Sequence, residues 1–351
     1  MITIEKRIEK TVYGNVAVYK MMNTNGAWVE LQSIGAGIRA INVPDKNGVV
    51  ADVVLGYKDI ADYMGDGPCA GKTPGRYANR IANGDLTVDG KHYKLNINCG
   101  PNSLHGGPKG FSNQIWESES SSDSVKFRYN SPDGDEFFPG NLTAEVEYKW
   151  DDENTLTIKY TATTDAPTVI NLTNHTYFNL DGEDAGADAM MNHELKLNSD
   201  TYLPTDESLV PTGLFEKVAG TPMDFRTSKR IGNEIHADFQ AIKYAKGYDS
   251  SWVINNRQQG KMVWNAVLCS KNSGRTVEIH SNQPAAQVYT GNWLSDSPVN
   301  KSGGKYEDYA GVAIECQGMP DAPNKPSFPS QMLRPGEVYS REIRYIFKVE
   351  K

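Results

Sequence analysis

Glu315 is the residue of this 351-residue sequence whose surroundings most clearly suggest chemistry. It lies in the segment GVAIECQGMPDAPN (311–324), directly after three apolar residues that are typical of a buried strand. Burying a carboxylate without partners is costly, so burial would raise its pKa and suit it to act as a general base near neutral pH. The alternative is a glutamate paired structurally with an arginine. The pattern favours the catalytic interpretation.

His175 lies in a second unusual segment, NLTNHTYFNL (171–180), where β-forming residues are mixed with asparagine and threonine. Strict alternation would place His175 on one face with Thr173 and Tyr177. A polar and aromatic face suits a sugar, which offers hydroxyls at its rim and C–H faces that pack on aromatic rings. The alternative is a core histidine satisfied by its polar neighbours. The residues alone leave both interpretations open.

Four further segments offer polar side chains for ligand binding. They contain Arg76, Asn79 and Arg80 in GRYANRI (75–81), His105 in LHGG (104–107), Asp249 in GYDSSW (247–252) and Gln287 in QPAAQVYTGN (283–292). Arginine is a forked donor suited to oxygen acceptors, and glycine allows a ligand to approach the backbone. Each segment is weak evidence alone, because arginines are mostly solvated and the other residues are equally compatible with structural roles.

Known cofactor and hydrolase signatures are missing from the sequence. It has no GxGxxG after a strand, no GxxxxGK[ST], no HExxH and no GxSxG. The six histidines, His92, His105, His175, His193, His236 and His280, form no compact metal-ligand cluster along the chain. We therefore predict that the protein uses neither a metal ion nor an organic cofactor. Cys69, Cys99, Cys269 and Cys316 lack CxxC spacing and are predicted to be reduced, mostly buried thiols.

The elements that must position these side chains are strands. Apolar residues alternate with polar ones from Leu142 to Trp150, and again from Leu156 to Tyr160 after a polar turn, which predicts a β-hairpin. Helical periodicity is restricted to Tyr57–Met64 and Ile231–His236, where a short helix or turn is expected. We predict an all-β protein, a large antiparallel β-sandwich in one domain spanning residues 1–351.

The net charge and the hydropathy of the sequence limit the classes of partner that the protein can bind. The 36 basic and 44 acidic side chains give a net charge of −8, and no basic run is interleaved with aromatic residues, which argues against nucleic acid. No apolar stretch approaches the roughly 20 residues of a membrane span, and no signal peptide is recognisable. We predict a cytoplasmic protein with a small-molecule partner. The sequence gives no indication of its oligomeric state.

Taken in order, these segments resemble the aldose 1-epimerase family, also called galactose mutarotase. The matching pieces are GRYANRI, LHGG, NLTNHTYFNL, IECQGMPDAPN and LRPGE (333–337), with GYDSSW and QVYTGN between them. Individually they are modest, but together they cover about residues 75–337. GPCAGKT (67–73) departs from the family pattern and is expected to change the rim of the sugar cleft.

The resemblance implies a β-sandwich with a sugar cleft, no cofactor, and interconversion of the α and β anomers of free aldohexoses such as galactose or glucose. It implies that His175 is the general acid and Glu315 the general base. The sugar-binding positions that it implies are Asn79, Arg80, His105, Tyr177, Asp249 and Gln287, with Arg76 in support.

Three other functions are alternatives to the one that the resemblance implies. A hexose-phosphate epimerase on the same fold would need a cationic cluster, for which Lys72, Arg76 and Arg80 are available. A non-catalytic sugar-binding module would not need both His175 and Glu315. A glycosidase normally uses two carboxylates, whereas this sequence pairs one glutamate with one histidine.

Overall fold

Strands dominate the computed structural model, which describes residues 2–258 and 260–350. Strands and helices are numbered separately in chain order. The first fifteen strands are β1 (Thr3–Thr11), β2 (Gly14–Met22), β3 (Trp28–Gln32), β4 (Gly37–Pro44), β5 (Val50–Asp52), β6 (Arg80–Ile81), β7 (Asp85–Val88), β8 (Lys91–Lys94), β9 (Ser103–Leu104), β10 (Glu117–Ser120), β11 (Ser124–Ser131), β12 (Leu142–Trp150), β13 (Thr155–Thr164), β14 (Thr168–Val169) and β15 (Tyr177–Phe178). The others are β16 (Glu194–Leu197), β17 (Thr201–Leu203), β18 (Glu216–Lys217), β19 (Lys229–Arg230), β20 (Asp249–Val253), β21 (Val263–Cys269), β22 (Arg275–Ser281), β23 (Ala285–Tyr289), β24 (Val312–Gln317), β25 (Met332–Leu333) and β26 (Tyr339–Val349).

Helices are few and short in the described part of the chain. They are α1 (Gly186–Met191), α2 (Gln240–Ala245) and the 3-10 turns Ile60–Tyr63, Ala82–Gly84, Phe111–Asn113, Asp135–Phe137, Ile231–Asn233 and Ala322–Asn324. The two helical segments predicted from the sequence are thus confirmed as single 3-10 turns within the expected ranges. Neither six-residue α-helix was predicted, because each is shorter than the window in which helical periodicity is detectable.

Three sheets, all antiparallel, form two layers. One layer is the nine-stranded sheet β10-β11-β12-β13-β26-β22-β21-β16-β19. The other combines the five-stranded sheet β1 to β5 with the six-stranded sheet β15-β24-β23-β20-β17-β18. An antiparallel bridge between Val54 and Phe178 joins these two sheets edge to edge. The predicted antiparallel β-sandwich is confirmed.

Alternating side chains fill the space between the layers. On β12, which pairs with β13 in the predicted hairpin, every second residue from Leu142 to Trp150 is buried. Phe178 packs edge-on against Tyr345 of the opposite layer, with ring centroids 5.3 Å apart. The largest buried apolar cluster contains residues from Ala17 to Phe347. This cluster draws residues from both layers, and the single-domain assignment stays a prediction.

Candidate active site

A cleft of about 660 Å³ opens on the face of the six-stranded sheet that points away from the core. Its lining residues are Gly67, Pro68, Asn79, Arg80, Cys99, Gly100, Pro101, Leu104, His105, His175, Tyr177, Glu207, Ser208, Leu209, Tyr244, Asp249, Tyr289, Trp293, Asp296, Ser297 and Glu315. Seven of the nine site residues predicted from the sequence line it. Gly67 and Pro68 belong to the segment that departs from the family pattern, so that segment does form part of the cleft wall.

Strand register explains why residues distant in sequence meet on this face. Glu315 on β24 lies directly opposite Gln287 on β23, and Asp249 on β20 lies opposite Tyr289 two residues further along β23. Because side chains alternate across a sheet, all four point to the same face. Their neighbours, such as Ile314 and others on these strands, point into the core instead.

Glu315 is at the base of the cleft and only 2% exposed. Its Oε1 lies 3.4 Å from Nε2 of His175, while its buried Oε2 has no hydrogen-bond partner among the described residues. Burial raises the pKa of the Glu315 carboxyl well above its usual value, and the charge of Asp249 raises it further while Arg80 opposes the shift. The free oxygen is available to a bound ligand, since buried polar groups normally have a partner.

His175 lies in a buried, extended segment rather than in a regular strand. Its N–H donates to the carbonyl of Lys72 at 2.9 Å, and its carbonyl accepts from the N–H of Gly71 at 2.9 Å. These two bonds fix the backbone that carries the imidazole. Burial lowers the pKa of His175 to about 4, with a smaller contribution from the charge of Lys72.

Two tyrosines form an aromatic wall beside His175. The ring of Tyr177 lies 5.0 Å from the imidazole, and the ring of Tyr289 lies 6.3 Å from it. The Tyr177 hydroxyl donates to the carbonyl of Pro68 at 2.9 Å, which attaches the cleft wall to the sheet. Such rings offer flat apolar surfaces to the C–H faces of a ligand.

A polar network lies beside this wall, since Asp249 is directly paired with Tyr289 in the strand register. Gln287 Nε2 donates to Asp249 Oδ1 at 2.6 Å, and Arg80 Nη2 lies 3.4 Å from Asp249 Oδ2. The Asn79 side chain accepts from the backbone N–H of Arg80 at 2.8 Å. Gln287 is absent from the cleft lining but, by holding Asp249, it fixes a carboxylate that does line the cleft.

His105 is brought to this network by the small β6–β9 sheet, in which Arg80 pairs with Leu104. The backbone N–H of Asn79 donates to His105 Nδ1 at 3.1 Å, so the ring of the neutral histidine carries its proton on Nε2. Burial lowers the pKa of His105 well below its usual value, and His175 and Arg80 add to the shift. His105 is therefore a neutral hydrogen-bond donor.

Gly106 has a role other than the one expected for LHGG. A Cβ at this position would lie 2.0 Å from the carbonyl oxygen of Gly75, and its φ is +84°. The glycine therefore allows two backbone segments to pack closely, rather than allowing a ligand to approach.

The fold assembles the metal-ligand types that the sequence keeps apart. Ligand atoms of His105, His175 and Glu315 lie within 4.8 Å of one another. A metal ion bound by Nε2 of His105 would have to displace the proton that the Asn79 hydrogen bond holds on that atom. Two ligands then remain, fewer than the three protein ligands of a typical catalytic zinc site. The prediction of a metal-free reaction stays a prediction.

Arg76 does not lie in the cleft, which corrects the supporting role that the family resemblance implied for it. It is 1% exposed, and its guanidinium donates to the carbonyl of Pro139 at 2.7 Å and the hydroxyl of Ser131 at 2.6 Å. Lys72 also points away, into a fully buried ion pair with Asp66. Both cations have structural roles, which their spacing in the sequence did not reveal.

Several cleft residues were not predicted from the sequence. Tyr289 follows Gln287 by two positions on β23, so alternation along a strand would have placed it on the same face as Gln287. Trp293, Glu207 and Leu209 lie on loops at the mouth, where no periodic pattern predicts orientation.

Comparisons with known proteins agree with this geometry. A family model described as aldose 1-epimerase matches residues 17–346. Galactose mutarotase of Bos taurus is 40% identical over 321 residues, covering 92% of this chain and 91% of that protein. Aldose 1-epimerase of Escherichia coli K12 is 39% identical over 333 residues, covering 94% of each chain.

Two solved structures extend the similarity over the whole fold. An aldose epimerase homologue from C. elegans has a TM-score of 0.87 at 32% identity, covering 99% of this chain and all of the other. Galactose 1-epimerase from Lactobacillus acidophilus has a TM-score of 0.84 at 28% identity, covering 100% of this chain and 99% of the other. Both match the two-layer architecture from end to end.

Proposed function

Because this chain belongs to the aldose 1-epimerase family and interconverts the anomers of a sugar, we propose that His175 and Glu315 are its catalytic acid and base. The observation that carries the proposal is the 3.4 Å approach of Nε2 to Oε1 at the base of the cleft. Two proton-transfer groups at this distance can serve the two oxygens bonded to one anomeric carbon.

The reaction follows from this pair. Glu315 removes the proton from the C1 hydroxyl while His175 donates a proton to the ring oxygen, so the bond from C1 to that oxygen breaks and an open-chain aldehyde forms. Rotation about the C1–C2 bond presents the other face of the carbonyl. The ring then closes with the two residues exchanging roles. Atoms and protons balance, and no oxidant or reductant is needed.

We propose that the remaining polar residues orient the sugar. Asn79, Arg80 and Asp249 offer donors and acceptors on one side of the cleft, and His105 offers its Nε2–H. Tyr177 offers its ring, which lies against His175. Galactose is a proposed substrate because relatives that are 40% identical to this chain are galactose mutarotases, and glucose is proposed beside it because the family resemblance implies free aldohexoses. Holding the ring in one orientation lowers the entropic part of the barrier.

Arg80→Ala is expected to weaken sugar binding more than it slows turnover. Arg80 is 7% exposed and contacts Asp249, so its removal takes a donor from the cleft and leaves that carboxylate less well held. We expect KM to rise by about tenfold or more with a smaller change in kcat, the pattern of lost ground-state binding. Polarimetry over a range of sugar concentrations measures both, with Arg128→Ala, at an exposed arginine of β11 outside the cleft, as control. An unchanged KM would remove Arg80 from the site.

The pH profile of kcat is expected to be bell-shaped with a broad plateau. The pair works while it holds one proton. The form with that proton on His175 starts the reaction, burial favours the form with it on Glu315, and the two apparent pKa values belong to both groups together. Because burial lowers the pKa of His175 to about 4, a second proton is taken up and the rate falls only below about pH 4. Because burial raises the pKa of Glu315, the single proton is lost, and the rate falls, only well above the usual carboxyl range. An acidic limb near pH 6.5, the ordinary histidine value, would contradict this.

A hexose-phosphate epimerase is a poorer fit to the cleft. Of the three cations considered for a phosphate, Lys72 and Arg76 are buried elsewhere and Arg80 contacts Asp249. The cleft also carries Glu207 and Asp296 at its mouth. These charges disfavour a dianion. Polarimetry of freshly dissolved α-glucose beside glucose 6-phosphate tests the choice: we expect catalysis of the first only, and faster catalysis of the phosphate would overturn it.

The proposal also covers where the protein is located in the cell and how its chain is organised. Within residues 2–258 and 260–350, no helix is long and apolar enough to cross a membrane. All four cysteines are free, and three of them are buried, which confirms that prediction. We propose a single-domain cytoplasmic enzyme whose partner is its sugar, with no role for nucleic acid or a membrane. Reduced thiols are usual in that compartment.

A further inference from the structure

The extended segment that carries His175 is bonded to the rest of the protein differently along its two edges. One edge makes backbone hydrogen bonds to the segment 71–78. There, the N–H of Asn171 donates to the carbonyl of Arg76 at 3.1 Å, and the N–H of His175 donates to that of Lys72 at 2.9 Å. Main-chain hydrogen bonds at Asn171 and His175, with one isolated bridge between Tyr77 and Asn171, therefore hold this edge of the segment against the cleft wall.

The other edge faces β24, the strand that carries Glu315, and there side chains replace the backbone ladder. Thr173 Oγ1 donates to the carbonyl of Cys316 at 2.7 Å. Asn171 Oδ1 accepts from the N–H of Gly318 at 2.8 Å, just past the end of the strand. Backbone pairing with β24 begins only at Tyr177, which is opposite Ala313. Two side chains therefore set the separation between the segment and β24.

The Thr173 bond is the one nearest to the chemistry. Its donor is two residues before His175, and its acceptor belongs to the residue after Glu315. Thr173 is fully buried and does not line the cleft, so it has no route to the sugar. Here a side chain, not a main-chain hydrogen bond, joins the segment to β24. The two backbones therefore lie further apart, which leaves space for the imidazole beside the carboxyl.

We propose that Thr173 is a positioning residue that sets the distance between His175 and Glu315. The inference rests on the proposed roles of those two residues. Its expected effect is on turnover rather than binding, because a displacement of about 1 Å between reacting groups costs about a hundredfold in rate. Tyr177 is held by its own backbone pairing with Ala313, and the other sugar-binding side chains lie on other segments, so all of them keep their places.

Thr173→Val removes the hydroxyl with almost no change of shape and is expected to lower kcat by about tenfold to a hundredfold, with KM changed by less than about threefold. Thr173→Ala removes the same hydroxyl without placing a methyl group against the carbonyl of Cys316, so it serves if the valine variant fails to fold. Thr173→Ser keeps the hydroxyl and is expected to restore kcat to within about threefold of wild type.

Thr176→Val is the matched control. Its hydroxyl is also buried in this segment, but its partner is the Asn174 side chain at 2.5 Å, not β24. Polarimetry of α-galactose gives kcat and KM for every variant, for wild type and for His175→Asn, and these values test the proposal. The proposal is overturned if Thr173→Val and Thr173→Ala keep kcat within about twofold of wild type, if they change KM alone, or if Thr173→Ser is as slow as they are. If only His175→Asn loses activity, the proposed catalytic pair still holds, but Thr173 does not set the distance between its members.

Discussion

Glu315→Gln is expected to lower kcat for mutarotation by at least about a hundredfold, the usual scale for a general acid–base group. The amide matches the carboxylate in size but cannot accept and return the proton of the anomeric hydroxyl. The carboxyl lies at the base of the cleft, with Oε1 facing His175 and Oε2 unpartnered among the described residues, so few structural contacts are lost. Initial rates by polarimetry, corrected for the spontaneous reaction, measure the effect.

Glu183→Gln is the matched control for this variant. Glu183 is also buried, at 7% exposure, but it accepts a hydrogen bond from Tyr306 outside the cleft. We expect it to lower the thermal midpoint while kcat stays within about threefold, since a stability loss leaves the folded site unchanged. Near-normal mutarotation by Glu315→Gln would exclude Glu315 as the base.

His175→Asn is expected to have an effect of similar size, at least about a hundredfold on kcat. Asparagine keeps a polar group near the position of the ring but has no proton to exchange at any accessible pH. The acidic limb of the pH profile should also move to higher pH, because Glu315 then remains as the only titrating group of the pair and its raised pKa sets the pH below which the base is protonated. Rates from about pH 3.5 to pH 7, with circular dichroism to verify folding, measure both effects.

His193→Asn provides the corresponding control. His193 is fully buried outside the cleft, burial likewise lowers its pKa to about 4, and its Nε2 accepts from the N–H of Leu180 at 2.7 Å. Loss of this bond should reduce stability by about 1 kcal/mol or more and leave kcat nearly unchanged. Equal losses of kcat in the two histidine variants would point to a general effect of burial instead of a proton-transfer role for His175.

Much of the fold was predictable because alternation is a local property. The hairpin of β12 and β13 follows from the period-two pattern, which the buried face of β12 confirms. The segment around His175 was less accurately predicted. His175 and Tyr177 both line the cleft, as alternation predicts, but Thr173 does not and is bonded to the carbonyl of Cys316. Residues 171–176 form no regular strand, because backbone pairing with β24 starts only at Tyr177. Side-chain bonds of that kind leave no periodic signal.

The candidate site was predictable in its chemistry and not in its geometry. An apolar run ending in Glu315 suggested a buried carboxylate, and the structure buries it. The contact with His175 joins residues 140 positions apart, and it depends on strand order and register, which no local pattern encodes. Arg76 shows the converse. Its residue type suggested that it binds the sugar, but its guanidinium donates to the backbone carbonyls of Pro139 and Gly140 instead.

The double variant Glu315→Gln/His175→Asn tests the central claim most directly. If the two residues act as one acid–base pair, removing the second adds little once the first is gone, as is usual for groups that work as a unit. Mutarotation of freshly dissolved α-galactose should then be fast with wild type, and the double variant should match the slower single variant to within about threefold. If the double variant instead loses the product of the two single losses in rate, or if either single variant still catalyses the reaction appreciably, the two residues do not act as one acid–base pair.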